Sequence, residues 1–164
     1  MNPSKINLLL FAFVCTVITS CSIEENGIYF DEINEVKEGY SIMELEIMDL
    51  VNNHREELGL FPLINLNIIS SVALSHTTYM VETNVVNHNN FAENHKNLVI
   101  KANAKSVGEN VAYGFETASG VVNGWLNSEG HKAILEKSNY THFGISIEQN
   151  SEGRNYFTQI FIQQ

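Results

Sequence analysis

An α+β sandwich is the fold class that this 164-residue sequence predicts, and three observations point to it. Helix-period patterns fill the front half of the chain, and two strand-like segments close it. The last of these, Tyr156 to Ile162, is apolar on both faces, with Tyr156, Ile160 and Ile162 on one and Phe157 and Phe161 on the other. A strand of that kind lies in the middle of a layered structure, covered from both sides.

The elements follow in order. From Glu44 to Leu58, apolar residues at Leu45, Met48, Val51 and Leu58 with Gly59 as a stop predict an amphipathic helix, and Leu60-Phe61-Pro62-Leu63 predicts a turn. A second helix is expected from about Asn67 to Val86, carrying Ile69, Val72, Ala73, His76 and Met80 at three- and four-residue steps. The polar run Asn87-His88-Asn89-Asn90 predicts a loop, and residues 94–104 a short helix. Val107 to Gly114 alternates as a strand does. Thr117 to Asn127 is a further helix, with Trp125 in its core face, and Gly130 is expected to break it before a short helical turn over His131 to Lys137. Strands are expected at Phe143 to Glu148 and Tyr156 to Ile162, joined by the hairpin-like Gln149 to Asn155.

Ahead of this domain, Lys5 followed by the apolar run Ile6 to Val17 has the form of an export signal, too short to span a bilayer. It ends in Ile18-Thr19-Ser20-Cys21, similar to the lipobox of bacterial lipoproteins. That likeness implies a signal peptide over 1–20 and acylation of Cys21, palmitate included, which would hold the domain on a membrane. The alternative is ordinary cleavage near Ser20 with an incidental cysteine. Residues 21–40 are expected to be a lipidated cysteine and an acidic tether, with Ile28-Tyr29-Phe30 the stretch best suited to order, and 41–164 the single folded domain. Both cysteines, Cys15 and Cys21, fall in the leader, so the domain has neither a disulfide nor a thiol nucleophile. The expected location is outside the cytoplasm, on a bacterial membrane facing the periplasm or the cell surface. A net charge of −10, with no local lysine or arginine cluster, argues against nucleic acid as a partner.

Glu109 is the residue that most needs explaining. Strand alternation sets Val107, Glu109, Val111 and Tyr113 on one face, and a carboxylate among apolar neighbours is costly unless paired. His88 and His131 flank it at nearly equal separations, and Glu129 stands two residues before the latter. Two imidazoles and a carboxylate suit a zinc site, with His88 and His131 as the metal ligands, or a buried hydrogen-bond cluster with structural duty; both readings stand. The dipole at the start of a helix would lower the His131 pKa. The sequence has no HExxH motif, no serine elbow and no third histidine tied to the pair, which disfavours catalysis. Of the other histidines, His76 is expected to pack on a helix inner face, His54 and His95 to lie at the surface, and His142 to cap a strand start.

Five stretches taken in order resemble the CAP superfamily of cysteine-rich secretory, antigen five and pathogenesis-related proteins, in its short bacterial branch. They are Val51-Asn52-Asn53-His54-Arg55 through Leu63, Ala73 to Met80, Gly108-Glu109-Asn110-Val111-Ala112-Tyr113-Gly114, Trp125 to Leu135 with Gly130-His131, and Phe143-Gly144-Ile145-Ser146 with Tyr156 to Phe161. The resemblance implies a three-layer α-β-α sandwich, secreted or surface-bound, with a central His/Glu/Glu/His cavity. Carried across, the tetrad would be His88, Glu109, Glu129 and His131. At the second glutamate many members of the branch carry proline, and the family's disulfides are absent. Two functions follow as expectations. One is a surface-anchored module binding a small ligand, a lipid, a divalent metal such as zinc, or a protein. The other is a metal-assisted, peptidase-like hydrolase of the cell envelope.

Overall fold

The computed structural model describes residues 37–164, so the signal, Cys21 and most of the tether lie outside the described residues. Five helices and four strands follow one another as α1 (Ile42–Glu57), β1 (Ile64–Asn65), α2 (Asn67–Thr83), α3 (Phe91–Ala102), β2 (Ser106–Tyr113), α4 (Ala118–Leu126), α5 (Glu129–Leu135), β3 (His142–Gln149) and β4 (Asn155–Gln163). The sheet order is β1-β3-β4-β2, with β4 antiparallel to both neighbours and β1 parallel to β3. The doubly apolar last strand is therefore central, and β2 with its Glu109 is an edge.

Three layers result. On one side, Ile47 and Val51 of α1, Val121 and Trp125 of α4 and Leu135 of α5 pack against Phe143, Ile145, Phe157 and Phe161. On the other, Ile69, Val72 and Ala73 of α2 and Leu98 of α3 cover Ile160 and Ile162, while Met80 covers Val111 and Tyr156. Each fully buried phenylalanine of the sheet contributes about 1.5–3 kcal/mol of transfer free energy. The α2 backbone runs so close to β3 that a side-chain carbon on Gly144 would collide with the Ser70 amide, and Ser70 Oγ accepts the Ile145 N–H at 3.1 Å.

Several boundaries differ from expectation for local reasons. The buried face of α1 is Glu44, Ile47, Met48, Val51 and Arg55, whereas Leu45 and Leu58, expected inside, are 47% and 51% exposed. Two charged side chains interrupt the inner stripe and hide its period. Helix α2 stops at Thr83 because Asn84 turns left-handed, at φ 52°, and satisfies the last carbonyls. Gly130 breaks nothing: α4 has already ended at Asn127, and Ser128 precedes α5 with Gly130 inside it. The two-residue β1, just after the expected turn and without a prediction of its own, pairs Ile64 with His142 and Asn65 with Phe143. The end of the expected tether is docked on the domain, where the Lys37 N–H donates to Ser71 Oγ at 2.6 Å and the Lys37 ammonium pairs with Glu44. Glu44 also closes a capping box with Ser41 and accepts the Ile147 N–H at 3.0 Å, joining the helix start to the sheet.

Arg55 is fully buried and, among the described residues, has no ion pair. Its guanidinium instead donates to four carbonyls: Phe61 at 3.1 Å, Leu135 at 2.7 Å, Lys137 at 3.1 Å and Tyr140 at 3.5 Å. It thereby ties α1 to the turn before β1, to the end of α5 and to the approach to β3. Replacement by alanine strands several buried acceptors at once. Arg55→Ala is expected to lower the unfolding free energy in urea by about 3–5 kcal/mol, and Arg55→Lys to recover only part, because an ammonium cannot span the same carbonyls.

Candidate functional site

Glu109 lies near the middle of β2, opposite Ile160, with its side chain on the α2–α3 side of the sheet. His88 comes from the loop between α2 and α3. That loop is bracketed by left-handed Asn84 and Asn90, and the Asn87 side chain accepts the Asn89 N–H, shaping the turn that carries the imidazole. His88 Nδ1 donates to Glu109 Oε1 at 2.8 Å. The pair is asymmetric, since 53% of the histidine side chain is exposed against 1% of the carboxylate. The imidazole therefore screens a buried charge from solvent.

A second imidazole reaches the same oxygen. His76 is fully buried on α2, with Nε2 3.7 Å from Glu109 Oε1 and donating to the Asn87 carbonyl at 3.0 Å. The absence of a third histidine near the pair, expected from sequence, is thus corrected. Spacing from Val72, Ala73 and Met80 already put His76 on the inner face; what stayed hidden was that this face meets β2 at Glu109.

His131 approaches from the other layer, as the third residue of α5. Its backbone carbonyl accepts the Asn110 amide at 3.1 Å, and its ring is close enough to feel the charge of His88. Its pKa lies below the ordinary value, first because of burial and then because of His88. Glu129 is exposed at the start of α5 and, among the described residues, forms no hydrogen bond or ion pair with His88, Glu109 or His131. The remaining histidines have local roles. His54, half-buried rather than free at the surface, pairs with Glu136 at 2.9 Å, His95 stacks on Phe91, and His142 bonds Thr141 Oγ1 at 2.9 Å where β3 begins.

Between these layers, at the free edge of β2, opens a pocket of about 520 Å³ lined by His88, Phe91, Val107, Gly108, Glu109, Ile134 and Tyr140. The Tyr140 hydroxyl stands over Gly108, where any side chain would strike it, so glycine is required there. The pocket is mostly apolar, with the polar groups of His88, Glu109 and Tyr140 in its lining, the usual make-up of a small-ligand site. Among the described residues no three His, Cys, Asp or Glu side chains are grouped to hold a metal ion, and His88 Nδ1 and Glu109 Oε1 are already engaged with each other. Phe91, Ile134 and Tyr140, which build the walls, carried no signal in the sequence, because each reads as ordinary core.

Residues 48–161 match the family described as CAP, the cysteine-rich secretory protein family. The chain belongs to that family. Among relatives it is 34% identical over 129 residues to YlbC, an uncharacterized membrane protein of Bacillus subtilis strain 168, a match covering 73% of this chain and 34% of YlbC. The chain therefore spans about a third of that relative's length. Among solved CAP structures, it is similar to an extracellular SCP-domain protein of Bacillus anthracis strain Ames, at 25% identity and a TM-score of 0.64, covering 74% of this chain and 40% of that one. It also shares its fold with an outer surface protein of Borrelia burgdorferi, at 21% identity and a TM-score of 0.67, covering 79% and 99% of the two chains.

The hydrogen bond to Glu109 is the largest influence on His88 and raises its pKa above the ordinary 6.5, with burial opposing and the carboxylate charge adding to the rise. A histidine raised in the folded state contributes stability that is fully present below pH 6.5 and disappears as the pH climbs through its elevated value. In urea titrations, the stability lost in His88→Ala is therefore expected to be largest below pH 6.5 and to shrink at higher pH, with Glu109→Gln bringing the His88 titration down in proton NMR. A loss of equal size at every pH would show that the pair carries no charge coupling.

Proposed function

We propose that the chain is a membrane-anchored CAP-domain module, exported to the periplasm or cell surface, that binds a ligand in the His88–Glu109 pocket without turning it over. The observation that carries this reading is the pocket itself: mostly apolar walls that include a buried carboxylate and its imidazole. A concave, mostly apolar site with few polar groups suits a ligand with an apolar body and one hydrogen-bonding end, such as a small lipid or an apolar side chain. The leader ending in Cys21 supports display at a membrane, as do the descriptions of relatives as extracellular, outer-surface or membrane proteins. The alternative, a metal-assisted hydrolase, calls for a donor set that the described residues do not assemble.

Two measurements test the proposal. Cys21→Ala is expected to move the protein from the membrane pellet to the soluble fraction, since acyl chains supply the anchoring energy. The neutral apolar fluorophore N-phenyl-1-naphthylamine is expected to bind the full chain, with affinity reduced about tenfold or more by Ile134→Asp, which puts a charge into the apolar wall. Fluorophore binding that ignores Ile134→Asp would remove the pocket from the reading.

A further inference from the structure

The pocket has a second property, set by the phase of the β2 ladder. The Gly114 N–H donates to the Asn155 carbonyl at 2.8 Å, and the β2–β4 register pairs Ala112 with Phe157, Asn110 with Gln159 and Gly108 with Phe161. In an antiparallel pair, hydrogen-bonded residues alternate, so the even-numbered residues of β2 turn their amides inward to β4. Val107, Glu109, Val111 and Tyr113 turn theirs outward. Trp125 agrees: its indole N–H reaches round to the outward Val111 carbonyl at 3.1 Å. Beyond that capped position, the outward N–H and C=O groups of Val107 and Glu109 face the pocket, whose lining includes Val107, Gly108 and Glu109.

Among the described residues this edge is unpaired, and its alternating donors and acceptors are complementary to one kind of molecule, another extended polypeptide backbone. We infer that the pocket takes an extended peptide segment, which adds to the sheet as a fifth strand beside Val107–Glu109. The inference rests on the ligand-binding reading above and names its ligand class. Side chains of the added strand alternate between the two layers. One set meets Phe91 and the imidazole of His88, and the next meets Ile134 and Tyr140, so apolar residues at alternate positions are favoured. The exposed side of His88, whose Nδ1 is held by Glu109, offers a donor to a peptide carbonyl at the rim. The acidity of the whole chain disfavours acidic segments.

The test uses the full chain and a displayed library of linear seven-residue peptides, followed by synthesis of a recovered peptide and fluorescence anisotropy. Recovered sequences are expected to carry apolar residues at alternate positions. N-methylation of the peptide amides in one alternating set is expected to weaken binding about tenfold or more, and in the other set to have little effect, because only one set pairs with β2. On the protein, Val107→Pro removes an outward N–H without touching the β2–β4 ladder and is expected to weaken binding about tenfold, whereas Val107→Ala keeps it within about threefold. Should Val107→Pro not fold, the N-methyl series decides alone. Recovery of no peptide, or a peptide indifferent to N-methylation in both sets, overturns the inference. Pairing of two copies of this chain through β2, detected as a dimer that Val107→Pro dissociates, also overturns it. If N-phenyl-1-naphthylamine still binds in an Ile134-dependent manner, the pocket reading survives and only the peptide is lost.

Discussion

A guanidinium without a counter-ion among the described residues ties α1 to the turn before β1, the end of α5 and the approach to β3. Burying a charge costs several kcal/mol unless hydrogen bonds replace its water, and Arg55 finds its replacements in carbonyls belonging to three separate segments. Those segments are not arbitrary. The Leu135 and Lys137 carbonyls end α5, and Tyr140 leads into β3, so one side chain fixes both Ile134 and Tyr140, the wall of the pocket facing His88. The lever is the planar fork of the arginine, which reaches several acceptors from one rigid group. Position of the pocket wall and stability of the domain therefore depend on the same contacts.

The opposite wall is organised by charge. Glu109 keeps one oxygen against His88 and near His76, while its other oxygen is buried with no hydrogen bond among the described residues. A half-satisfied carboxylate in an apolar layer favours a protonated neighbour, which is why the His88 pKa rises. His131, across the edge of the sheet, is pushed the other way by burial and by that same His88. The two imidazoles are thus displaced in opposite directions, His88 towards the charged form by its carboxylate and His131 towards the neutral form by burial.

How much of this could be read from the residues depends on whether a pattern was local. The central place of β4 was legible, because Tyr156 to Ile162 is apolar on both faces and only an interior strand tolerates that. The ordered family-like stretches identified the α-β-α layering, and Glu109 stood out as a carboxylate in strand company. The inner face of α1 was misread at Leu45 and Leu58 because its true members include Glu44 and Arg55, whose burial is made tolerable by partners up to 103 residues away in the chain. His76 was placed on the correct face, yet its approach to Glu109 arises from the packing of α2 over β2, which no spacing records. Glu129 follows the family pattern by position only, and the exposed start of α5 leaves it outside the cluster. Strand β1 escaped notice because two residues carry no period.

Strand β4 also has a bearing on when the domain can form. It follows every other element in the chain, yet it alone joins β3 to β2, and eight of its nine residues are buried. Until Asn155–Gln163 is available, the two flanking strands have no common partner and the helical layers have no floor to close upon. Long-range pairing of this kind slows folding, because loop-closure entropy is spent before the contacts reward it. With Asn155–Gln163 undocked, β2 and β3 share no neighbour, so the sheet is complete only once that segment has inserted between them.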